Sequence, residues 1–197
     1  MDTTYDERLA AFSRERLDGY PVPDDLRVLL LAHWEGRTDF AHLLGLEFFD
    51  EGELHPFLDT AYLSEQELAD PEMQAVNAGV ARMVEYVQLV AKGGKGWVGY
   101  WVHPDEPVRR PIELDAEFTL WQMTGASLTE AMAFEQAAYQ DEPDERVAFG
   151  RLAAELDALL PLGAADYDSL DDSAYVVDPE KLMEALTEAE RVARGLG

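Results

Sequence analysis

Cysteine is absent from all 197 residues. That excludes disulfides, thiolate metal sites, iron–sulfur clusters and cysteine nucleophiles, and it leaves the redox compartment open. Lysine is scarce as well: 15 Lys and Arg, only three of them Lys, stand against 41 Asp and Glu, a formal net charge of -26. A phosphate backbone would be repelled over most of such a surface, so no binding of nucleic acid is expected. Long apolar runs are missing too. The first sixteen residues are charged and lack the apolar stretch of a signal peptide, and no run approaches the roughly 20 residues of a membrane span. The expectation is a soluble, cytoplasmic chain with no membrane association. At 47% hydrophobic and 10% aromatic, it has enough apolar material to bury a core.

Motifs for chemistry are equally scarce. Gly94-Lys95-Gly96-Trp97-Val98-Gly99 has the G-x-G-x-x-G spacing that lets backbone amides approach a phosphate. A dinucleotide site needs a helix straight after the glycines, whereas Tyr100-Trp101-Val102-His103-Pro104 reads as strand and turn. Gly96 stands where a Walker A loop needs Ser or Thr, and no kinase signature follows. Asp166, Asp168, Asp171 and Asp172 suggest calcium, yet Leu170, Asp171 and Val177 occupy the places of a ligand, the turn glycine and the bidentate acid. His33, His42, His55 and His103 show no zinc-ligand spacing, and no G-x-S-x-G elbow surrounds any of the five serines. No catalytic residue, cofactor site or metal site is therefore assigned, and an enzyme is the least favoured of three readings.

What the chain does have is clear punctuation. After a first helix over residues 4–17, Pro23-Asp24-Asp25 opens a second that runs to about Glu35. Leu26, Val28, Leu29, Leu30, Leu31 and Trp34 go round most of its circumference, which predicts a central core helix. Residues 38–63 read as short strands or loops. Ser64 and Glu67 have capping-box spacing, with Pro71 either dividing the helix or restarting it. Residues 86–90 and 97–102 flank Lys92-Gly93-Gly94-Lys95-Gly96 as a β-hairpin, and 110–114 and 117–124 add two antiparallel strands. Ser127 and Glu130 repeat the capping box ahead of a closing helix. The predicted class is α+β: an antiparallel sheet packed by helices over residues 1–140, then a helical extension, 141–197, packed on it.

The acids are unevenly spread. Ten acids and no Lys or Arg lie between Arg37 and Arg82, nine between Arg110 and Arg146, and eight between Arg151 and Lys181. Such patches suit the steering of a basic partner, and general solubility or an organism-wide composition is the competing explanation. Glu47, Asp50, Glu51, Glu53 and Asp59 cluster in the irregular, base-free stretch and are the candidate partner-binding residues.

The order of residues from about Leu17 to Phe134 resembles the SUKH superfamily, which unites a fungal cell-wall-synthesis regulator with bacterial immunity proteins of polymorphic toxin systems. The first part is Leu17-Asp18-Gly19-Tyr20-Pro21-Val22-Pro23-Asp24-Asp25-Leu26 with Leu29-Leu30 and Trp34-Glu35-Gly36, similar to the family's proline-initiated helix. Val87 to Trp101 looks like its strand, glycine-rich turn and aromatic strand. Pro107-Val108, Ile112-Glu113-Leu114-Asp115 and Ala126-Ser127-Leu128-Thr129-Glu130-Ala131-Met132 resemble its closing strands and the helix after them. The resemblance implies a SUKH-like fold, a protein-binding scaffold with no shared catalytic residues, and a toxin domain as partner. The acidity would suit a basic one such as a nuclease. An intracellular regulator or scaffold binding endogenous proteins is the alternative.

Overall fold

The computed structural model describes residues 3–37, 42–50, 52–115, 120–157 and 166–197. Two helices come first, α1 (Thr3–Arg16) and α2 (Asp24–Trp34), the second with Asp24 and Asp25 in its first turn, where the helix dipole favours acids. In the stretch that the sequence leaves irregular, the described residues include helical His42 and Leu43, a two-residue strand, β1 (Glu47–Phe48), and a 3-10 turn, Pro56–Leu58. Helix α3 (Glu65–Ala69) begins at the Ser64–Glu67 capping box. Pro71 restarts the chain rather than dividing one helix: Asp70 ends α3 and caps α4 (Pro71–Met83), its carboxylate accepting from the amides of Glu72 and Met73.

Strands β2 (Val87–Lys92), β3 (Trp97–Trp101), β4 (Arg110–Leu114) and β5 (Leu120–Gln122) follow. Together with β1 they form one antiparallel sheet in sequence order. The hairpin and the strand at 110–114 lie where the sequence puts them. The strand expected over 117–124 is β5, three residues long among those described, and residues 116–119 of that expectation lie outside them. Helices α5 (Leu128–Ala137), α6 (Glu145–Asp157) and α7 (Pro179–Ala193) complete the chain, α5 from the second capping box. The fold is α+β.

Both faces of the sheet are covered, which explains why β2 and β3 lack polar alternation. On one face Val90, Val98 and Tyr100 pack with Leu29 of α2, Met132 of α5, and Phe149 and Leu152 of α6. On the other, Val87, Leu89, Trp101, Ile112 and Leu114 pack with Met83 of α4 and Leu186 of α7. Side chains alternate between the cores with the two-residue period of a strand. A bulge between Leu89 and Ala91 shifts that period by one, so Val90 and Ala91 share a face. Residues beyond 140 thus supply part of each layer. Segment 171–175 is strapped over β4 by buried Arg110, whose Nη1 donates to Ser173 Oγ at 2.9 Å and Ala174 O at 3.2 Å, and by Tyr175, whose hydroxyl donates to Pro111 O at 2.6 Å.

Candidate protein-binding surface

Residues 53–62 form an arm after β1 within the base-free stretch, and two basic residues from other elements, Arg16 and Lys92, hold its start. Glu47 pairs with Lys92 across the β1–β2 ladder, and the Lys92 ammonium lies 3.2 Å from its carboxylate and 3.9 Å from that of Glu53. The hydrogen bond and charge of Glu47 raise the Lys92 pKa. Arg16, at the end of α1, is buried over the ring of Phe49 and donates to the backbone carbonyls of Glu53 at 2.6 Å and Asp50 at 3.4 Å. Burial lowers its pKa, with Glu53 and Glu15 pulling upward. Glu53 turns back to accept the Asp50 amide at 3.0 Å. Asp59 accepts the Ala61 amide at 2.9 Å and so shapes its own turn.

Among the candidate acids, then, Glu47 and Glu53 converge on Lys92, Asp50 is fixed beside Glu53, and Asp59 stands farther along the arm. Glu51 lies outside the described residues. Between these anchors the chain exposes apolar side chains instead of burying them. Leu54 is 71% exposed and Tyr62 79%. They flank a groove of 820 Å³ whose opposite wall is α4, through Met73, Val76 and Val80, and whose inner end reaches Trp97 and Met183. Glu53 and Asp59 line the same groove. Phe57 stands edge-on to Trp97 with ring centroids 5.2 Å apart, which steadies the arm against the sheet. An adjoining hollow of 550 Å³ between α3 and α4 shares Met73 and Val76 and adds Glu67, Asp70 and Glu72.

Of the five candidate acids Glu53 and Asp59 line the groove, and its apolar walls were not singled out in the sequence. The available signal was a second apolar stripe on α4, at 73, 76 and 80, beyond the Ala75, Gly79 and Met83 face that is buried. Isolated apolar residues in an irregular segment, such as Leu54 and Tyr62, carry no such period.

Elsewhere the sites doubted in the sequence are internally occupied. The amides of Lys95 and Gly96, in the turn of the G-x-G-x-x-G stretch, donate to the buried Glu113 carboxylate at 2.8 and 3.0 Å, so the chain's own anion fills the place of a phosphate. Asp168 is bound by the Arg146 guanidinium through contacts of 2.8 to 3.1 Å, and Asp171 by Ser173. Among the described residues no three His, Cys, Asp or Glu side chains converge to hold a metal ion, and no helix is long and apolar enough to cross a membrane. No family model matches the chain, and no curated protein or solved structure matches it.

Proposed function

We propose that this chain is a non-enzymatic, cytoplasmic protein-binding module that neutralises a cognate toxin, with a basic nuclease as the partner best suited to its charge. The observation behind the reading is the juxtaposition just described: an open groove with exposed apolar walls, lined largely by a stretch that holds ten acids and no Lys or Arg, with Lys92 of β2 its one basic lining residue among those described. Exposed apolar side chains beside a groove favour macromolecular contact. The acids would speed encounter with a basic surface and cover the groups that hold a nucleic-acid phosphate backbone. The toxin part of the proposal rests on the SUKH resemblance of residues 17–134.

The test is to express the reading frame encoded beside this one in a test host, with and without this chain, and to measure survival. Growth arrest relieved by this chain is the expected result. A frame that is not toxic, or whose toxicity is untouched, would leave the regulator or scaffold reading in its place. With a partner in hand, the triple reversal Glu47→Lys, Asp50→Lys and Asp59→Lys should slow association at low salt and flatten its salt dependence. Unchanged association kinetics would remove the electrostatic part.

A further inference from the structure

Resting on the protein-binding reading, we infer that the groove between the 53–62 arm and α4 receives an amphipathic helix of the partner, apolar on one face and flanked by Lys or Arg. The surface recognises side chains, not backbone. Trp97, at its inner end, belongs to β3, which is hydrogen-bonded on both sides, so the groove offers an incoming strand no free ladder there. The α4 wall presents Met73, Val76 and Val80, at i, i+3 and i+7, along a helix of 13 residues, about 20 Å at 1.5 Å per residue. A helix laid beside it would meet that stripe with residues of the same period. Leu54 and Tyr62, exposed on the opposite wall, would close over the apolar face.

Charge sets the flanks. Glu53 and Asp59 line the groove, and Glu67, Asp70 and Glu72 line the adjoining hollow. Among the described residues the opposing bases are Lys92, which lines the groove and is shared between Glu47 and Glu53, Arg16, which holds the Glu53 backbone from α1, and Arg191, which reaches Glu72 from α7 at 3.3 Å. Five acids against three bases leave the groove and the hollow together net negative. An acidic or phosphorylated segment would be repelled there, whereas Lys or Arg on either side of an apolar face would be attracted.

The probes are two synthetic peptides of 18 residues with the same Leu and Lys content. In one, Leu recurs at i, i+3, i+4 and i+7; in the other the order is scrambled so that no apolar face forms. Binding to the full chain is followed by amide and indole NMR shifts. The periodic peptide should bind at least about tenfold more tightly, moving the signals of Val76, Val80 and Trp97. Val76→Lys and Leu54→Lys, both at exposed positions, should each weaken it by about tenfold or more while the remaining spectrum stays native. Equal binding of the two peptides, no binding, shifts centred elsewhere, or unchanged affinity in both variants would overturn the inference. The same variants enter the survival assay. Rescue that persists in both sinks the groove and leaves immunity standing; periodic-peptide binding at the groove by a chain that rescues nothing supports the groove and sinks the toxin reading.

Discussion

At His55 the arm half-buries an imidazole and shuts both ring nitrogens off from solvent without giving either a partner of hydrogen-bonding geometry. Burial, and next the Arg16 charge, push its pKa from 6.5 to about 4, against smaller upward pulls from the Val87 backbone and Asp18. Above pH 6.5 the ring is neutral folded or unfolded, and its contribution is complete. As the pH falls below 6.5 the unfolded chain binds the proton first, so stability drains away until the folded ring titrates near pH 4. The difference corresponds to about 3 kcal/mol. His55→Phe removes this group alone. Denaturant midpoints of the two proteins should therefore diverge between pH 6.5 and 4, the wild type losing more; parallel curves would show that His55 is not the titrating element. A proton on His55 would sit beside Arg16, the residue that pins Asp50 and Glu53, so the same titration loosens the candidate surface. Buried Glu113 shows the opposite solution, a carboxylate satisfied by the two turn amides.

Among the elements, the helix starts were the most readable features. Ser64 and Ser127, read as capping boxes, cap helices through bonds to amides three residues ahead, whereas the restart at Asp70, left open between one broken helix and two, needed the structure. Capping boxes are complete within one turn, so no distant contact is needed to read them. Gly79 of α4 is the contrary case. In isolation it reads as a helix weakened by about 1 kcal/mol. In the fold it lets α7 approach so closely that an added Cβ would lie 2.7 Å from Thr187 Oγ1 and 3.0 Å from Thr187 Cα. Backbone cannot swing aside as a long side chain can. Gly79→Ala should therefore destabilise the protein by about 1–3 kcal/mol despite better helix propensity, measured by urea denaturation. A gain in stability would mean that α7 rides loosely on α4. The same substitution would shift one wall of the groove, because Val76 and Val80 sit on the adjoining face of α4.

For the molecule as a whole, a net charge of -26 opposes compaction. The ion pairs that relieve it are mostly exposed, as at Arg146–Asp168, Arg151–Glu142 and Lys181–Asp178, and exposed pairs contribute little each. Repulsion should win. The thermal midpoint is expected to rise as NaCl goes from about 0.01 M to about 1 M, where the screening length shrinks from about 30 Å to about 3 Å. A falling midpoint would show that the ion pairs dominate. Partner binding should respond in the opposite direction, weakening over the same range, which separates electrostatic steering from general stability.

Local chemistry, by itself, determined the α+β class, the hairpin, the helix starts and the acid-rich, base-free stretch, because propensity, capping and charge act between neighbours in the chain. Tertiary structure decided the rest. Glu47 meets Lys92, Arg16 grips Glu53, and Glu113 fills a turn 17 or 18 residues away. The groove gathers Leu54 and Tyr62 from the arm, Val76 from α4, Trp97 from β3 and Met183 from α7, four separate places. No short-range pattern encodes which apolar residues remain uncovered: that follows from how the arm, α4 and α7 pack once both sheet faces are filled.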